Sequence, residues 1–176
     1  MSTINFTTKL LKINSTTLLL VPKNESAKLP SRGQVMVKGT INNFSFQTAL
    51  EPDGRGSHWL KVDQAMLKGA HANEGDTVKM AIEPSKDWPE PKVPEDIQKG
   101  VATRKEIHPL WEKITPMARW DWIRWIGSTK NPETRKHHIE VACDKLGKGM
   151  KRPCCFNRTL CCDFSVCNNG VLPEQD

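Results

Sequence analysis

The loop Asp53 to His58, DGRGSH, sets a serine beside a histidine and an arginine between two glycines. A hydrolase would need His58 to take the proton of Ser57. Neighbouring residues on a strand point to opposite faces, however, so this pair does not make a nucleophile and its base. What remains for the loop is an ordinary connection between strands, with Arg55 as a candidate contact for an anion. A second cluster is the tail, where five of the six cysteines form the pattern CC-x5-CC-x4-C from Cys154 to Cys167. Zinc sites space their thiolates by two to four residues so that the backbone can fold round the ion, and adjacent cysteines chelate awkwardly. Reduced thiols in a loose or docked tail are the expectation, with no metal and no other cofactor. His137 and His138 are neighbours on an expected helix, about 100° apart. Their rings diverge, so they are not a ligand pair.

The third cluster is the stretch Thr115 to Gly149, which holds three of the six tryptophans. Ala118, Trp122, Trp125 and Ile126 project within about 100° of one another on a helix, and Trp120 and Ile123 widen that surface. Aromatics at this spacing are ordinarily core. The functional variant is a cleft walled by Trp120 or Trp122, with Arg119, Arg124, Lys130 or Arg135 supplying charge. Arg135 has a second candidate role, fixing the turn between helices.

These residues need elements to hold them. Thr115 and Asn131 each precede a proline, the signature of an N-cap followed by the first helical residue. Helices are therefore expected from Pro116 to the stop at Gly127, and from Pro132 to the stop at Gly147 and Gly149. The second should bury Ile139, Ala142, Cys143 and Leu146, and keep Lys136, His137, Glu140, Asp144 and Lys148 wet, with Asp144 and Lys148 able to pair. Further helices are expected from Pro94 through Ala102 and from Lys105 to Ile114.

Upstream the pattern changes to strands: Ile4 to Ile13, Thr16 to Val21, Val35 to Ile41, Phe44 to Leu50, Ser57 to Val62 and Thr77 to Glu83. Asn14-Ser15 and Asn42-Asn43 have hairpin-turn chemistry, since asparagine tolerates positive φ. On the strand at 57–62, His58, Leu60 and Val62 share one face. Asp63 should cap a short helix, Gln64 to Ala70. Four prolines between Pro84 and Pro94 exclude a central strand or helix there. The expected domains are thus a β unit at 1–84, a proline-rich linker at 85–94 packed by Trp88, a helical unit at 95–152 and an irregular cysteine-rich tail at 153–176.

The runs PDGRGSHWLKV (Pro52 to Val62), GDTVKM (Gly75 to Met80), P-x-x-R-W-x-W-I (Pro116 to Ile123), Trp125-Ile126 and KNPETR (Lys130 to Arg135) resemble, in this order, a bacterial two-part family. That family has an N-terminal domain of unknown function followed by a bacteriocin-protection, or YdeI/OmpD-associated, helical domain. The resemblance covers roughly residues 3 to 152. It implies an α+β fold: a small antiparallel β-barrel of the double-split type, with about six strands, then a helical unit of three to four helices. The family name implies a role in tolerance to antimicrobial peptides.

Charge bears on the partner. The chain of 176 residues carries a net +6, divided evenly: residues 1–94 hold 12 basic and 9 acidic side chains, and 95–176 hold 14 and 11. An even spread is not the concentrated stripe that nucleic-acid binding uses. No apolar run approaches the roughly 20 residues that span a bilayer, and no cationic start leads into a long apolar run. A cytoplasmic protein without a membrane span is the expectation, and its cysteines would then be reduced. The leading functional reading is a non-enzymatic binding protein connected with bacteriocin tolerance. It would hold a small anionic ligand or a peptide in a groove between barrel and helices. The alternative, from the implied kinship to swapped-hairpin transcription regulators, is a nucleic-acid-binding regulator.

Overall fold

A computed structural model describes residues 2–154 and 156–175, which form two compact units: one from the start to Asp87 together with Asn157 onward, and one from Trp88 to Phe156. The first unit is built on seven antiparallel strands: β1 (Ile4–Lys9), β2 (Leu11–Ile13), β3 (Thr16–Leu20), β4 (Val35–Ile41), β5 (Phe44–Pro52), β6 (His58–Lys61) and β7 (Thr77–Pro84). Two helices interrupt them, α1 (Lys23–Ser26) and α2 (Gln64–Ala70). The strand order is β1-β7-β4-β5-β6-β3-β2, a curled sheet forming a half-barrel. Its two end strands are consecutive in the chain. The run expected as one strand from Ile4 to Ile13 bends at Leu10, whose amide and carbonyl bond Asp76 and Gly75 rather than a strand. Its first half pairs with β7 and its second with β3, which is why seven strands stand where six were expected.

Local signals set the turns. Asn42 and Asn43 have φ of 45° and 71°, so both central residues of the β4–β5 hairpin are left-handed, as a twist-compatible two-residue turn requires. Asp63 caps α2 by accepting from the Met66 amide at 2.8 Å. The inner face of the sheet gathers Leu19, Val35, Val37, Ile41, Leu50, Leu60, Val78 and Ile82 into one core.

The outer face of β2, β3 and β6 is covered as well, and here the expected alternation fails. Trp59 is fully buried, as are His58 and Leu60 beside it. The cause is the tail. Cys161, Val166, Cys167 and Leu172 pack on Leu18 and Trp59 in a second cluster, with Leu11, Ile13 and Leu20 at its margin. Among its described residues the tail has no helix or strand, apart from an isolated bridge between Asn168 and Val171. It is docked nonetheless. Cys161 and Cys167 form a disulfide with Cα atoms 6.1 Å apart, which corrects the expectation of reduced thiols throughout. Adjacent cysteines hide this pairing in the sequence, because the partners lie six residues apart across a turn. Cys155 lies outside the described residues.

The second unit contains α3 (Glu95–Ala102), α4 (His108–Lys113), α5 (Pro116–Ile126) and α6 (Pro132–Gly147). The side chains of Thr115 and Asn131 cap α5 and α6 by accepting from the amides of Ala118 and of Glu133 and Thr134. The helices enclose Ile97, Val101, Ile107, Trp111, Trp122, Ile126, Ile139, Ala142, Cys143 and Leu146. The buried stripe of α6 is the expected one. Asp144, however, pairs with Arg104 at 2.8 Å, across the helix junction rather than along α6 to Lys148. No helix among the described residues is long and apolar enough to cross a membrane.

Candidate functional site

The tryptophan-arginine cluster is mostly structural in its contacts. Trp122 is wholly buried and donates its indole N–H to the Lys151 carbonyl at 2.9 Å. Trp120 is half-buried, meets Trp88 edge to face at 5.7 Å between centroids, and donates to the Pro89 carbonyl at 2.8 Å. Arg119 is buried. Its Nη1 donates to the carbonyls of Trp111, Glu112 and Ile114 at the C-terminal end of α4, and its other nitrogens hold Glu90. A guanidinium is well placed there, because the last carbonyls of a helix lack partners and carry partial negative charge. Arg124 is buried with its guanidinium 5.2 Å from the centroid of the Phe156 ring. Lys130 is exposed near the end of the α5–α6 connection.

Arg55 belongs to the other unit, where it donates to the Leu172 carbonyl and so holds the tail. In the same unit Ser57, just before β6, donates to the Val21 carbonyl at 3.1 Å. His58 instead lies 2.6 Å from Ser26 Oγ through Nδ1 and 2.8 Å from the Gly33 carbonyl through Nε2. Both residues are fully buried, so the pair ties α1 and the following loop to β6.

Arg135 lines an open groove. The groove has a volume of about 530 Å³ and lies between α3 and α6. Gly100 lets the two helices approach, since a Cβ there would come within 2.5 Å of Ile139 Cγ2. Pro132, Ile139, Gly100 and Cys143 supply its apolar part, and Asp96, Arg104, Lys136 and Glu140 its charged part. Arg135 and Asp96 form a two-pronged pair, Nε to Oδ2 at 2.6 Å and Nη2 to Oδ1 at 3.0 Å. Those bonds hold the Asp96 carboxyl below the ordinary carboxylate range. Burial pushes the Cys143 thiol up, so it is an apolar wall atom rather than a thiolate. Arg104 is engaged by Asp144 and Glu106. Lys136 and Glu140, both exposed and one turn apart on α6, present opposite charges at the rim. Among the described residues no group of three or more His, Cys, Asp or Glu side chains could hold a metal ion.

The sequence singled out Arg135 but missed the groove's other walls. One signal was available: Gly100 in the middle of α3, a residue that costs helix stability and so points to a close packing partner.

The arrangement is that of an α+β protein with a curled antiparallel half-barrel domain and a separate four-helix domain. Residues 6–82 match the family model described as a domain of unknown function, DUF1905, and residues 90–149 match the one described as Bacteriocin-protection, YdeI or OmpD-Associated. The chain belongs to this two-part architecture, with the domains in that order. No curated protein matches it.

Proposed function

We propose that this chain is a non-enzymatic binding protein that takes a short amphipathic peptide in the groove between α3 and α6, in the setting of bacteriocin tolerance that the second family's description names. The observation that carries the reading is the groove itself. It joins an apolar wall of Ile139, Pro132 and Cys143 to a rim bearing Lys136 and Glu140. An apolar peptide side chain would occupy the wall, and its flanking charges or backbone would meet the rim. The alternative, nucleic-acid binding, has no observation added to the overall basic charge, and that charge is evenly spread.

The test is titration of the full chain with a panel of short cationic amphipathic peptides, with inorganic phosphate as a separate arm, followed by amide chemical shifts. Shifts at Thr103, Lys136 and Glu140 that saturate with peptide, and a loss of that response in Lys136→Glu with Glu140→Lys, support the reading. A response to phosphate alone replaces the peptide with a small anion. No response at α3 or α6 in either arm sinks the groove as a binding site.

A further inference from the structure

Both matched segments end by residue 149, yet residues 157–175 are docked on the half-barrel, with Cys161, Val166, Cys167 and Leu172 buried against Leu18 and Trp59. The docking is built from both sides. Asn14 donates to the Ser165 carbonyl at 2.8 Å, the Leu172 amide donates to the Asp53 carbonyl at 2.8 Å, and Arg55 donates to the Leu172 carbonyl. Gly54, at φ 81°, makes room: a Cβ there would lie 2.2 Å from the Gly170 carbonyl oxygen. Beneath the segment, Leu18 and Trp59 are wholly buried on the face of the sheet opposite the main core.

Two features mark this docking as conditional. The segment's own backbone hydrogen bonds are those of turns and one isolated bridge, with no helix or strand among its described residues, and there the Cys161–Cys167 disulfide is its covalent constraint. The docked state also leaves the indole Nε1 of Trp59 buried without an acceptor, a polar group that water would satisfy if the face opened.

We propose that residues 157–175 are the captive occupant of an interaction surface on β2, β3 and β6, and that the Cys161–Cys167 disulfide is the clasp that keeps them there. A reducing dithiol operates the clasp. Its thiolate attacks one sulfur, and the displaced cysteine leaves as a thiolate that takes up a proton. The reductant's second thiol then closes on the mixed disulfide, releasing the other cysteine. Two electrons and two protons pass to the chain, and the reductant becomes a disulfide. The freed segment loses the closed loop that shapes it, and Leu18, Leu20 and Trp59 become available as an apolar face.

Amide hydrogen exchange on the full chain tests this, with and without dithiothreitol, beside the double variant Cys161→Ser with Cys167→Ser. Reduction should speed exchange at Cys161, Cys167 and Leu172 by about tenfold or more, while Val37 and Leu50 in the β4–β5 ladder keep their protection. The double variant should show the fast pattern without reductant and no further response to it. That lack of response separates this disulfide from the chain's other cysteines. Equal protection of the segment in both redox states overturns the proposal. So does acceleration of Val37 and Leu50 together with the segment, because the disulfide would then hold the whole unit rather than clasp one part of it.

Discussion

Ser26 Oγ lies 2.6 Å from His58 Nδ1 in the interior of the half-barrel, and the other ring nitrogen lies 2.8 Å from the Gly33 carbonyl. A carbonyl only accepts, so Nε2 carries a proton; with burial favouring the uncharged ring, Nδ1 is left as the acceptor of the Ser26 hydroxyl. The ring is neutral. Burial lowers its pKa, opposed by the bond to Gly33 and reinforced by the nearby Arg32.

A group whose folded pKa lies below its unfolded one contributes stability above the unfolded value, about 6.5 for histidine, and loses it as pH falls toward the folded value. His58→Gln should therefore cost about 1–3 kcal/mol near pH 7.5, from the broken buried bonds. That cost should shrink by pH 5, because the unfolded chain has by then gained a proton on this histidine that the fold resists. Urea unfolding of both proteins at the two pH values reads the difference, and the remaining histidines cancel in the comparison. A pH-independent gap would mean that the fold leaves the His58 pKa at its unfolded value.

Arg119 should be far less replaceable than the glutamate that it holds. The arginine is 6% exposed and serves the end of α4 as well as Glu90, whereas the Glu90 side chain is 67% exposed. Arg119→Lys removes the planar fork and leaves helix-end carbonyls unpaired, at about 2–3 kcal/mol. Glu90→Ala removes a solvent-screened partner and should cost less than about 1 kcal/mol. Five of the six tryptophans lie in this unit, so near-ultraviolet circular dichroism on heating follows it. Equal losses from the two variants would show that the ion pair, not the helix end, is what Arg119 is there for.

The contrast between these residues explains what the sequence discloses. Thr115 and Asn131 were readable as caps because each satisfies amides two or three residues away, and Asn42-Asn43 because a turn is a local conformation. Arg119 looked like a ligand contact because its partners, in α4 and at Glu90, are fixed only by packing. The docked tail was missed for the same reason. A trace of it was present: Leu18, Leu19 and Leu20 in succession leave no polar face on β3, which is the mark of a strand buried on both sides.

The close approach of α3 and α6 makes a compensation test. Gly100→Ala should destabilise the helical unit by about 1–3 kcal/mol through the clash with Ile139, despite alanine's better helix propensity. Ile139→Ala alone also destabilises, by leaving a cavity. Combined, the two should cost less than their sum, since the methyl added on α3 enters space vacated on α6. Thermal unfolding of the four proteins closes the cycle. Strict additivity would indicate that the helices separate rather than repack.

The two asparagines of the β4–β5 turn have the same sign of φ but different duties. Asn42 uses its side chain: Oδ1 accepts from the Lys79 amide at 2.8 Å and Nδ2 donates to the Ala70 carbonyl at 3.2 Å, tying the turn to β7 and to the end of α2. Asn43, at φ 71°, has its left-handed conformation as its evident requirement. Glycine at Asn43 meets that requirement without a Cβ penalty and should be neutral or stabilising by up to about 1 kcal/mol, as an Asn-Gly turn favours this hairpin. Glycine at Asn42 keeps the backbone conformation but removes both bonds, and should cost about 1–2 kcal/mol. Urea midpoints of Asn42→Gly and Asn43→Gly should therefore move in opposite directions or differ clearly in size. If they coincide, positive φ alone governs the turn and the ties from Asn42 contribute nothing to stability.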